Sequence, residues 1–244
     1  MLLKIALNGA RSKKENKHIP QSLEEIEKEV QLLYVNGCKV FHIHCYDKYG
    51  KESLKPDDVS NLISLVKNIA PEIQTGISSG DWIEPDFKKR KSYIQAWEVI
   101  PDFISVNMIE DNAVEISNLL ISKGVLIEAG LNEKKAAQIF AESGLRKGCC
   151  RILIEPEPEI FDDAISVVNE IEGILNKYKI KIPRLLHGFN SVSWEMLREA
   201  RRRGYDSRIG MEDIIYLENG EKVKGNLEIV IEARKIIEAS SQLA

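Results

Sequence analysis

The feature that most restricts the fold is a repeat. Short β-branched, apolar runs alternate with longer stretches of helical periodicity along the whole chain. The apolar runs fall at residues 3–7, 39–44, 72–78, 102–107, 125–129, 151–155, 184–187 and 207–210. Between them, a 3.6-residue periodicity predicts helices such as 22–35, 57–69, 113–123, 133–143, 161–178, 191–203 and 226–239. Local signals agree with these ends. Ser22 stands three residues before Glu25, the spacing of a capping box. Gly37, Gly124, Gly144 and Gly204 each follow a helical run, where a left-handed terminus favours glycine. Strands that alternate with helices imply parallel pairing, and eight such units in 244 residues match a (β/α)₈ TIM barrel. The rival doubly wound sheet usually has fewer units and opens with a glycine-rich phosphate turn. Here the first turn reads Asn8-Gly9-Ala10-Arg11, without that pattern. No linker or low-complexity segment intervenes, so residues 1–244 read as one barrel domain.

Composition narrows the class. A net charge of -4 argues against a nucleic-acid partner, which would call for a basic face. The basic run 88–91 reads as a solvated helix face. No stretch approaches the about 18 apolar residues that span a bilayer, so no membrane partner is expected. The opening Met1-Leu2-Leu3-Lys4-Ile5-Ala6-Leu7 turns polar too soon for a signal peptide and reads as a first strand, which makes a cytoplasmic location the expectation. Cys38, Cys45, Cys149 and Cys150 lack CxxC spacing and read as reduced core thiols.

A barrel builds its functional face from the carboxyl ends of its strands. Those positions hold Asn8, His42, His44, Ser78, Ser79, Asn107, Glu128, Glu155, His187, Arg208, Glu212 and Asp213. Burying one such group unpaired costs roughly 2–7 kcal/mol, so a dense set on one rim points to a site. The sharpest signal is Phe41-His42-Ile43-His44. Residues two apart in a strand share a side, so both imidazoles face the barrel mouth and offer two ligands to a divalent metal such as zinc. Glu128, Glu155, Glu212 and Asp213 all qualify as the accompanying carboxylate, and spacing does not choose among them. Arg208-Ile209-Gly210-Met211-Glu212-Asp213 is the densest cluster, with Gly210 permitting a sharp turn. A metal, an arginine and a carboxylate together suit an anionic substrate that loses a proton beside a carbonyl.

With these motifs in view, the chain resembles the beta-keto acid cleavage enzymes, a family related to the 3-keto-5-aminohexanoate cleavage enzyme. The resemblance rests on His42-Ile43-His44-Cys45-Tyr46-Asp47, on Ser78-Ser79-Gly80, and on Arg208 through Asp213 with the later Gly225-Asn226. It implies that His42, His44 and Glu212 bind Zn²⁺ or another divalent cation and that Arg208 and Asp213 form the deprotonating pair. Ser78 and Ser79 would bind the substrate carboxylate, while Asn107 and Glu128 line the pocket. The implied reaction joins a β-keto acid with acetyl-CoA and cleaves it to acetoacetate and a CoA ester. The implied assembly is a homo-oligomer, a tetramer.

Two departures modify the expectation. Where longer members have a glycine-rich stretch for the CoA thioester, this chain reads Glu155-Pro156-Glu157-Pro158, whose charges would repel a CoA phosphate. Arg11 stands where the lysine-fermentation enzyme has an acidic residue, which turns the expected selectivity toward a second anionic group on the substrate. The first departure favours an alternative, a metal-dependent aldolase or hydrolase that works without CoA. A non-catalytic ligand-binding barrel is expected only if the rim carboxylates are tied to one another. His187 reads equally as a fourth ligand, a substrate contact or a satisfied core histidine. An aspartate beside an arginine normally has a lowered pKa, which would make Asp213 a weak base.

Overall fold

The strands close on themselves. In the computed structural model, which describes residues 1–9 and 11–239, the chain runs β1 (Leu3–Ala6), α1 (Leu23–Val35), β2 (Val40–His42), α2 (Pro56–Ile69), β3 (Gln74–Ser78), α3 (Phe87–Ala96), β4 (Phe103–Asn107) and α4 (Ala113–Ser122). It continues through β5 (Leu126–Leu131), α5 (Lys134–Glu142), β6 (Cys149–Ile154), α6 (Phe161–Lys177), β7 (Arg184–Leu186), α7 (Ser193–Arg203), β8 (Asp206–Ile209) and α8 (Asn226–Ala239). Each strand pairs in parallel with the next, and β8 returns to β1. The fold is a (β/α)₈ barrel. Ala10, within the first turn, and residues 240–244, within the single-domain reading, lie outside the described residues.

The sequence logic is visible in the ends of the elements. Ser22 and Glu25 form the reciprocal capping box of α1. Gly37, Gly124, Gly144 and Gly204 all take positive φ, from 72 to 84°. Outward strand residues such as Ile5, Phe41, Ile77, Ile104 and Ile127 join Val30, Leu62, Phe140 and Leu175 of the helices in one apolar core. A second cluster, with Ile19, Trp194, Met211, Ile214 and Val223, seats the long loop after β8 that carries Glu212 and Asp213. Among the described residues, no helix is long and apolar enough to cross a membrane.

Three expectations about local structure change. β2 stops at His42, two residues early, because the His44 N–H leaves the ladder to donate to Asn8 Oδ1 at 2.8 Å. Asn8 Nδ2 returns a bond to the His44 carbonyl at 3.1 Å, so the buried Asn8 pins the backbone and does not face the cavity. β5 runs two residues past the expected end, to Leu131. The basic run 88–91 is not uniformly solvated: Arg90 is buried, pairing with Glu110 at 3.0 Å.

Candidate active site

His42 and His44 project to the same side, their rings 5.1 Å apart and edge to face. His42 Nε2 lies 3.8 Å and His44 Nε2 3.6 Å from Glu212 Oε1. One donor atom from each of the three falls within 4.8 Å of the other two, the one such grouping found among the described residues. The other Glu212 oxygen, Oε2, is buried without a hydrogen-bond partner. Two imidazole nitrogens and an unsatisfied carboxylate suit a borderline divalent ion such as zinc, and three protein ligands leave a position open. The residues present therefore fit a catalytic metal. Burial favours neutral forms here, yet the His44 proton is held up to about 9 by Glu212 and Glu52, while burial takes His42 well below its ordinary value.

Backbone geometry delivers Glu212 to this point. Gly9 sits at φ +45°, and a Cβ there would stand 2.1 Å from Glu212 Cγ, so the loop after β1 accepts no side chain. Gly210 answers a different need from the turn expected of it. A Cβ at Gly210 would stand 2.0 Å from the Ala6 carbonyl, so the glycine permits close approach of two backbones. The Asn226 side chain accepts from the Met211 N–H at 2.8 Å and donates to the Leu7 carbonyl at 3.0 Å, tying the loop to β1.

Arg208 and Asp213 meet closely, with Nη2 to Oδ1 at 2.7 Å, and the same Nη2 donates to Glu212 Oε1 at 2.7 Å. Burial pushes the Asp213 carboxyl up to about 6 and outweighs Arg208, so Asp213 is a stronger base than the arginine alone suggests. His187 stands between two carboxylates, 3.5 Å from Asp213 Oδ1 and 3.4 Å from Glu155 Oε2. It lies outside the metal grouping, and burial holds it neutral. Burial likewise raises Glu155 to about 8.

A cavity of about 380 Å³ opens over these groups, walled by Arg11, Ser78, Asn107, Glu155, Glu157 and Arg208 beside His42, His44 and Glu212, with Trp82 and Phe189 as its aromatic sides. Four expected site residues sit differently from the sequence reading. Glu128 is fully buried and does not reach the cavity wall. Its carboxylate pairs with Lys4 and, at 2.8 Å, with Arg151, in a polar layer beneath the cavity. Ser105 Oγ lies 2.9 Å from Glu128 and 3.3 Å from His42 Nδ1, so Glu128 supports the site through Ser105 and His42. Ser78 faces the cavity, but Ser79 turns toward β4, within 3.4 Å of the Ser105 carbonyl. Asp213 is enclosed behind the wall that Arg208 forms.

Arg11 lies on the wall with four of its five N–H groups already used. Nε donates to the Glu212 carbonyl at 2.9 Å and Nη2 to that of Asp213 at 3.1 Å, with Glu15 and Asn190 taking the others. It clamps the loop that carries Glu212 and Asp213. Sequence reasoning missed Lys4, Ser105, Glu52 and Trp82. The first had a readable signal: Lys4, Glu128, Arg151 and Arg208 are complementary charges inside apolar strands. Glu52 and Trp82 lie in loops and had none.

A profile of the beta-keto acid cleavage enzyme family matches residues 1–182 and 184–242. The chain belongs to that family. Relatives include the 3-keto-5-aminohexanoate cleavage enzymes of Fusobacterium nucleatum, 23% identical over 94% of this chain and 88% of that protein, and of Acetoanaerobium sticklandii, 22% identical over 94% and 89%. Among solved structures, the binary complex of ObcA with oxaloacetate shares the fold, with a TM-score of 0.68 at 13% identity over 93% of this chain. The chain spans 63% of the ObcA chain.

Proposed function

We propose that this family member is a metal-dependent β-keto acid cleavage enzyme that condenses its substrate with acetyl-CoA and releases acetoacetate and a new CoA ester. The observation that carries the reading is the convergence of His42, His44 and Glu212 within 4.8 Å, beside the Arg208–Asp213 pair. A divalent ion held by these three supplies Lewis-acid polarisation of the keto oxygen when bound. The protein's own groups do the rest. Ser78 and Asn107 bind the substrate's acidic end, and Arg208 adds positive charge on the same wall. The Arg208–Asp213 pair takes the substrate proton, with Arg208 on the cavity wall and the enclosed Asp213 carboxylate behind it as the final acceptor. Oxaloacetate, found in the ObcA complex, is itself a β-keto acid, which supports a small acidic substrate in a cavity of this size.

A second reading keeps the metal and the base but omits CoA. It is favoured by Glu157 on the cavity wall, where its carboxylate would oppose an incoming phosphate. A soluble homo-oligomer in the cytoplasm accords with the family reading. Incubating the protein with a panel of β-keto acids, with and without acetyl-CoA, and weighing the products tests both. New CoA esters together with acetoacetate are expected; cleavage that proceeds equally without acetyl-CoA would select the second reading.

A further inference from the structure

The loop between β2 and α2 holds a carboxylate that neither the metal triad nor the substrate contacts explain. Residues 45–53 form a tight hairpin: Tyr46 and Glu52 are bridged in antiparallel fashion, and Ser53 N donates to the Cys45 carbonyl at 2.8 Å. At its tip, Asp47 Oδ1 accepts from the N–H groups of Tyr49 and Lys51, at 2.8 and 3.1 Å. The hairpin thus presents Glu52 from a fixed position. One oxygen, Glu52 Oε2, lies 3.0 Å from His44 Nδ1 and also 3.0 Å from Trp82 Nε1. The indole lies close to parallel with the His44 ring, at 23° and 6.5 Å between centroids. Its other neighbour is Gly80, where a Cβ would stand 2.1 Å from the ring, so the indole rests directly on backbone. Trp82 remains 46% exposed while lining the cavity.

We propose that Glu52 is a positioning residue shared by the metal centre and the cavity wall. An ionised carboxylate only accepts hydrogen bonds, so Glu52 requires the proton of His44 on Nδ1. With the Nδ1 proton held by Glu52, Nε2 is the nitrogen that would give up its proton and turn its lone pair to a metal ion beside Glu212, the arrangement a ligating imidazole needs. The same oxygen fixes the indole across the open side of the site. Metal affinity and the placement of Trp82 therefore depend on one side chain that touches neither metal nor substrate. This inference rests on the metal reading above.

The test compares wild type with Glu52→Ala, Glu52→Gln and Trp82→Phe. Zinc affinity is read by competition with a chromophoric chelator, and indole placement by tryptophan emission of the metal-free protein. Glu52→Ala is expected to bind zinc about 10- to 100-fold more weakly, the usual cost of losing such a partner. Glu52→Gln should fall between the two, since its amide oxygen still accepts both bonds. The part of the emission that Trp82→Phe removes should shift to longer wavelength in Glu52→Ala. Should Glu52→Ala fail to fold, Glu52→Asp, whose carboxylate is drawn back from both donors, must show the same losses. Unchanged zinc affinity in a folded variant, or an unchanged Trp82 emission, would overturn the shared role and leave the metal site standing. A wild-type protein that binds no zinc or other divalent ion would instead remove the metal reading, and this inference with it.

Discussion

At the scale of single residues, adjacent Glu212 and Asp213 have different surroundings, which fit the separate tasks we propose for them. Glu212 directs one oxygen at two imidazoles and leaves the other unpaired, whereas Asp213 is enclosed between Arg208 and His187. Glu212→Gln should therefore lose metal, and Asp213→Asn should keep its metal while turnover disappears. Metal content and rate measured on the same preparations check this, and equal metal loss in the two variants would refute the division. Arg11 illustrates what sequence position leaves out. Its place after β1 suggested a partner for a distal anion, but four of its N–H groups hold protein atoms, two of them the carbonyls of Glu212 and Asp213. Losing this clamp would disturb the proposed ligand and the proposed base alike. Arg11→Ala should lower catalytic efficiency about 10-fold or more on acidic and neutral β-keto acids to the same degree, near 1.4 kcal/mol per decade. A loss confined to dicarboxylic substrates, seen in a side-by-side rate comparison, would restore the selective role.

At the scale of elements, what was legible and what was not divides along a physical line. Alternating periodicity is a property of sequence neighbours, so all eight strands and the shared side of His42 and His44 could be read. Depth in the barrel depends on where each strand truly ends. Taking β5 to stop at residue 129 placed Glu128 on the rim, whereas its extension to Leu131 places Glu128 well below, in register with Ser105 and Arg151. Lys4 and Glu128 are fully buried in the resulting network and Arg151 is 11% exposed; stripping one partner from a buried pair costs about 3–5 kcal/mol. Lys4→Met should sit near the lower end, because Arg151 still pairs with Glu128; urea unfolding measures it, and a neutral result would show that the layer carries no such cost. Outside the barrel interior, α3 meets the loop after β4 through Arg90 and Glu110. Burial, aided by Asp81, raises Glu110 to about 7 against the opposing pull of Arg90. The folded state therefore binds a proton that the unfolded chain has already released above its ordinary value. This contribution to stability is complete below about pH 4.5 and is lost as the pH rises through about 7, with a slope up to about 1.4 kcal/mol per pH unit between them. Glu110→Gln should flatten that part of the stability profile in thermal melts taken from pH 5 to 8. An unchanged profile would show that Glu110 titrates normally.

At the scale of the whole molecule, the barrel brings together residues more than 160 positions apart, from β2 to the loop after β8, because closure sets β1 between them. The pairing of Ala6 with His42, and of Ile5 with Ile209, fixes how far the histidines stand from the Glu212 loop. That is why a histidine pair in the first fifth of the sequence and a carboxylate in the last fifth form one site. Family membership gives the reaction class, and the convergence of donors is where we propose it occurs. The most direct test is elemental analysis of the purified protein alongside His42→Ala and His44→Ala. Wild type should carry about one zinc or similar divalent ion per chain, and each variant should lose most of it. Full metal occupancy in either variant, or none in wild type, would contradict the account.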